Sequence, residues 1–136
     1  MVEPASVPPK KPRRFLKRLK IALLLTPVVL ALLLWVYIWV ALRVSYANGE
    51  RAGYVQKFSR KGWICKTWEG ELAMATLPGT LPQVFQFTVR DDAVAAKINE
   101  IIGQRVALSY EQHRGLPTNC FGETEYFVVA AKRVEP

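Results

Sequence analysis

The stretch QVFQFTVRDDAVAAKINEIIG, residues 83–103, holds two hydrophobic periods back to back, and their junction decides the fold. Over 83–90, Phe85, Phe87 and Val89 alternate with Gln86 and Thr88, the period-two pattern of a strand with one buried face. At Asp91 the period changes. Val94, Ile98, Ile101 and Ile102 recur at helical spacing, so a helix is expected over residues 92–102. Asp91 or Asp92 can accept from its first amides, and Gly103 stands where a left-handed cap is expected.

Strands flank this unit on both sides. Upstream, RAGYVQKF (51–58) reads as a first strand, Ser59 to Gly62 as a turn, and WICKTWEGELAMA (63–75) as a long second strand, bent or bulged at Gly70. Pro78-Gly79 and Pro82 make a rigid loop before the strand at 83–90. Downstream, RVALSYE (105–111) is a fourth strand, QHRGLPTNCFGETE a loop, and YFVVAAKRV (126–134) the last strand. The order β-β-β-α-β-β is that of the OB-fold, a five-stranded barrel with its helix between strands three and four. An open antiparallel sheet covered by the helix is the alternative.

Ahead of this domain, residues 21–42, IALLLTPVVLALLLWVYIWVAL, carry no charge. As a helix they would run about 33 Å, enough to cross a hydrocarbon core of roughly 30 Å. The net charge of +8 divides unevenly around this run. Residues 1–20 hold seven basic residues against Glu3, or +6; residues 43–136 hold twelve basic and ten acidic, or +2. The basicity therefore belongs mostly to the flank of the span, where cytoplasmic retention of Lys and Arg explains it. The expected organisation is a disordered basic cytoplasmic tail (1–20), a transmembrane helix (21–42), a connector (43–50) and an extracytoplasmic β domain (51–136). That places the N-terminus in the cytoplasm and the C-terminal domain outside the membrane, in a periplasm-like compartment. A cleaved signal peptide is the rival reading, since Ser45-Tyr46-Ala47 offers small residues at the needed spacing, but the apolar run exceeds the usual h-region of about 7–15 residues.

The segments YVQKFSRKGWICKTWEGEL, FQFTVRDDAVAAKI, RVALSYEQHRG and YFVVAAKRV resemble a group of small bacterial single-pass inner-membrane proteins. These share a basic tail, one span and a K-G-[aromatic]-x-x-K-T-[aromatic]-E-G core. The resemblance covers residues 50–134 and implies no particular activity. Some members carry a 6-phosphogluconate dehydrogenase label, which this chain does not support. It has no Gly-x-Gly-x-x-Gly turn after a strand, and it lacks the length for a cofactor domain plus a substrate domain.

Cys65 and Cys120 lie near the start of the second strand and in the loop between strands four and five, which an OB-fold brings to one rim. Outside the membrane they can form a disulfide; two separate thiols or a redox pair are the other readings, the last lacking the usual Cys-x-x-Cys. His113 is the only histidine, and with Glu123 and Glu125 it is too sparse a set for a metal site. Glu69 with Glu71, and Asp91 with Asp92, are explained by a polar strand face and by helix capping, so no catalytic pair, cofactor or metal is expected. Lys57, Arg60, Lys61 and Lys66 interleave with Phe58, Trp63 and Trp68 across the first hairpin, and His113 and Arg114 follow in the later loop. On an OB-fold these positions form a ligand or partner surface, or else the tryptophans are core and the lysines solvated.

The expected function is a non-enzymatic, membrane-anchored binding module for a protein partner or envelope component, with nucleic acid disfavoured by the compartment. Two alternatives remain: an accessory subunit of a larger membrane complex that uses its span as the interface, and a thiol-redox protein using Cys65 and Cys120.

Overall fold

The computed structural model describes residues 2, 4–9, 13–74 and 76–135. Of the expected tail, Met1, Glu3, Lys10, Lys11 and Pro12 lie outside the described residues. The chain divides into two compact units, Met1–Tyr37 and Ile38–Pro136.

Helix α1, Arg13–Arg43, fills most of the first unit and is long and apolar enough to cross a membrane. It starts inside the stretch expected to be disordered tail. The reason is local: after the prolines end at Pro12, residues 13–20 are Arg, Lys, Leu and Phe, mostly strong helix formers. Pro27 sits within the helix and removes the amide that Leu23 O would accept from. Thr26 Oγ1 donates to the carbonyl one residue earlier, Ala22 O, at 2.6 Å.

The second unit is a barrel of β1 (Ala47–Lys61), β2 (Thr67–Met74), β3 (Val84–Val89), β4 (Arg105–Gln112) and β5 (Tyr126–Arg133), with α2 (Asp92–Ile101) between β3 and β4. The strands close in the order β1-β2-β3-β5-β4. Each neighbouring pair is antiparallel except β3 with β5, which run parallel at Thr88 and Phe127. This is the OB-fold topology, closed rather than open.

Closure depends on β1, which begins at Ala47, inside the stretch expected to be a connector, and extends to Lys61. Ala47–Tyr54 pair with β4, and Gly53–Lys61 pair with β2. Gly53 and Tyr54 pair with both neighbours, and the strand bulges just beyond them, between Val55 and Lys57. Gly53 lies at the crossover, where a Cβ would sit 2.1 Å from the Ala73 carbonyl oxygen. The first half of β1, ANGERAG, is nearly devoid of apolar side chains, so main-chain pairing rather than a buried face holds it. Glu50, on this half, is held below the usual carboxylate range by the Ser109 hydroxyl and then by Lys132.

Inside the barrel, Leu72, Phe87, Ile98, Val106 and Leu108 are fully buried. Helix α2 contributes Ala95 and Ile98 to this core, with Val94 and Ile101 packed against it. Asp91 caps the helix by accepting from Ala93 N at 2.8 Å, and Gly103 takes φ +83° just beyond it. A file of rings crosses the interior: Trp68 stacks on Phe58 at 5.2 Å, Phe58 on Phe87, Phe87 on Phe85, and Phe85 meets Tyr110 and Tyr126. Gly70 forms no bulge; it stays in register, and the Phe87 ring occupies the space where its side chain would be.

Candidate functional site

Two loops meet at the rim of the barrel. Residues 62–66 join β1 to β2, and residues 113–125 join β4 to β5. The second strand was expected to start at Trp63, but pairing begins only at Thr67, which leaves Trp63 and Ile64 at the tip of a turn. A disulfide between Cys65 and Cys120 ties the two loops together, with Cα atoms 4.9 Å apart.

The longer loop is also held from beneath. Glu69 is only 5% exposed, and its two oxygens accept from the Thr67 hydroxyl (2.7 Å), the Glu123 amide (3.1 Å) and the Thr88 hydroxyl (2.7 Å). Thr88 in turn meets Thr124 through its hydroxyl at 2.8 Å and accepts from its amide at 3.3 Å. The loop is closed at its base by His113 N donating to Glu125 O. A buried carboxylate with several donors is a stable arrangement, and stripping it away exposes the donors' unmet demand. Glu69→Ala is therefore expected to destabilise the barrel by about 2–4 kcal/mol. Amide hydrogen exchange should accelerate at Glu123 and Thr124 before it does in β4; unchanged exchange there would show that the loop does not rest on Glu69.

The residues expected to share one ligand face sort into several places. Lys57 lies 3.9 Å from Glu71 and Lys61 lies 3.8 Å from Glu123, so carboxylates offset both lysines on the outer side of the first hairpin. Arg60 is exposed, with its guanidinium 6.0 Å from the centre of the Trp68 ring. Trp68 packs against the core, its indole N–H donating to Asp92 at 3.1 Å, and offers no open stacking platform. Trp63, by contrast, is fully exposed (100%), and Lys66 is exposed beside it. Arg114 stacks over Tyr46 at 4.2 Å and lies 3.7 Å from Glu125.

His113 is not a solvated loop residue. It is 5% exposed, with Nδ1 3.0 Å from Ala41 O, Nε2 3.3 Å from Glu111, and its ring against Phe127. Both nitrogens face acceptors, so both contacts are hydrogen bonds only when both nitrogens carry protons. Among the described residues, no cluster of three or more His, Cys, Asp and Glu side chains is placed to hold a metal ion.

Three site residues escaped the sequence reading. Ile64 is 97% exposed beside Trp63, and only its place between Gly62 and Cys65 hints at a turn. Glu69 looked like part of a polar strand face; the loop that buries it is distant in sequence. Arg51 lies over the rings of Phe85 (4.6 Å) and Tyr110 (5.6 Å), and no local pattern announces that.

No curated protein matches the sequence. Among solved structures, the barrel is similar to the mitochondrial single-stranded DNA binding protein Rim1 from S. cerevisiae, at TM-score 0.46 and 9% identity, covering 68% of this chain and 98% of that one. A sequence family matches residues 44–136, the whole barrel with the short link before it, and the chain thus belongs to the family described as a domain of unknown function, DUF8785.

Proposed function

We propose that the protein is a non-enzymatic binding module, anchored in the inner membrane by α1, that presents its OB-like barrel on the extracytoplasmic side. The β4–β5 loop is its contact surface for a protein partner or envelope component. The observation that carries this is the fixation of that loop. It is long and bears exposed residues such as Pro117, Thr118 and Asn119, yet it is tied at Cys120, at Glu123 and at Thr124. A loop ordered before it meets a partner loses little conformational freedom on binding. The disulfide fits an oxidising compartment, and the basic residues before the span favour a cytoplasmic N-terminus. The cysteines serve here as a staple, and the one imidazole and Glu69 are committed to internal contacts, which leaves them poorly placed for proton transfer or thiol exchange.

The test is crosslinking of the full chain in native membranes. Thr118→Lys with Asn119→Lys alters only exposed side chains and should reduce partner capture by tenfold or more. Undiminished capture would remove the loop from the interface. Exchanging residues 21–42 for an unrelated span should leave capture intact; loss would favour the accessory-subunit reading, in which the span is the interface. A reporter fused after Pro136 must report an extracytoplasmic C-terminus.

A further inference from the structure

We propose that the β1–β2 turn is a lipid-docking tip. Trp63 and Ile64 enter the surface of the bilayer that holds α1, and Arg60 and Lys66 engage its anionic headgroups. The inference goes beyond the loop assignment above and rests only on the membrane-anchored part of that reading.

The tip has the chemistry of an interfacial plug. Trp63 is 100% exposed and Ile64 97%, a consecutive apolar pair with no protein contact to bury it. Indole favours the headgroup level of a bilayer, and an aliphatic neighbour favours the acyl boundary below it. The segment Arg60 to Lys66, RKGWICK, has three basic residues and no acidic one. Lys61 is directed to Glu123, while Arg60 and Lys66 are exposed on either side of the apolar pair. An apolar centre within a cationic collar complements an anionic lipid surface, and headgroup attraction to such cations is a short-range effect.

Two further features make the bilayer the occupant. Only residues 44–46 separate the end of α1 from the start of β1, so a spanning α1 keeps the barrel at the membrane surface. The chain also limits how far the tip can lie from the last turn of that helix. His113 touches Ala41 O, and seven residues later Cys120 is bonded to Cys65, the neighbour of Ile64. Seven residues span at most about 25 Å. The disulfide fixes the turn beforehand, so insertion needs little ordering of the chain. Docking at this point would hold the barrel at a second site besides its tether, and so set which side of the β4–β5 loop faces away from the membrane.

The test uses the full chain labelled with 5-fluorotryptophan in lipid nanodiscs, with the Trp63 ¹⁹F resonance assigned by Trp63→Phe. Trp68, half-buried against the core and bonded to Asp92, is the internal control. With a nitroxide on the acyl chain near the headgroup, the Trp63 signal should lose more than half its intensity in discs rich in phosphatidylglycerol, while Trp68 keeps its own. Arg60→Glu with Lys66→Glu should restore the Trp63 signal. A Trp63 resonance as sharp as that of Trp68 in phosphatidylglycerol discs overturns the inference. Equal broadening in phosphatidylcholine discs overturns the headgroup assignment. If Trp63→Ser with Ile64→Ser abolishes protein crosslinking while lipid broadening is absent, the tip binds protein and the inference fails, although the binding-module reading survives. Broadening as expected alongside undiminished capture by the Thr118→Lys, Asn119→Lys protein sinks the loop assignment and leaves the lipid tip standing.

Discussion

Replacing Cys65 and Cys120 together by serine should lower the melting temperature of the barrel by about 15–30 °C. The bridge closes a 55-residue loop. By chain entropy alone, such a closure restricts the unfolded ensemble by roughly 4 kcal/mol. For a domain of this size each kcal/mol shifts the midpoint by about 4–8 °C. The loss is large because a barrel this small starts with a limited reserve. It should also be focused, since the bridge is one of several ties on the β4–β5 loop, and hydrogen exchange ought to rise there and in the turn at 62–66 before the strands. The two single variants and the double variant should melt alike, because each breaks the same bond. Thermal denaturation with and without a reductant is the simplest check. A melt indifferent to reductant would mean that the bridge contributes nothing beyond the contacts of Glu69 and Thr88.

The second large effect lies in the core. Adding one methyl group at Gly70 would place it 2.3 Å from Cζ of Phe87 and 2.7 Å from Cε2, both atoms of a rigid ring. Phe87 is fully buried between Phe58 and Phe85, so it has nowhere to retreat. Gly70→Ala should therefore destabilise the barrel by about 3 kcal/mol. Phe87→Leu alone should cost about 1–2 kcal/mol, through lost ring contacts and incomplete collapse. Combined, the two should destabilise by at least 1 kcal/mol less than the sum of the singles, because leucine vacates the space the new methyl needs. Denaturant titration of all three proteins decides this. Strict additivity would show that Gly70 is needed for backbone freedom and not for the ring.

These residues also mark how far the sequence could be read. The strand and helix over 83–103 were legible because one burial period replaces another at Asp91, and the cap there is local chemistry. Barrel closure was inferred from element order alone, and that order proved sufficient because so few arrangements bury a single helix stripe on five short strands. The reach of β1 was not legible, since a strand that serves two partners through a bulge shows no continuous alternation. Gly70 was read as a bend or bulge because a glycine in a strand has more than one explanation, and only the ring opposite distinguishes them. At the rim, Trp63 was weighed as core or ligand surface, and its full exposure removes only the first. His113 meets Ala41 and Phe127, and Glu69 meets Thr88 and Glu123, all but Phe127 distant in sequence, and no local pattern encodes an environment assembled from such distances.

The Cys65–Cys120 bond also makes the chain from 65 to 120 a covalent ring that contains β2, β3, α2 and β4. A protease that cut once in the exposed β2–β3 loop, where Leu77 and Leu81 stand open, would release no fragment. The two pieces would remain joined to each other and, through β1, to α1. This topology turns a severing event into a nick, and the barrel keeps its parts in place to close again.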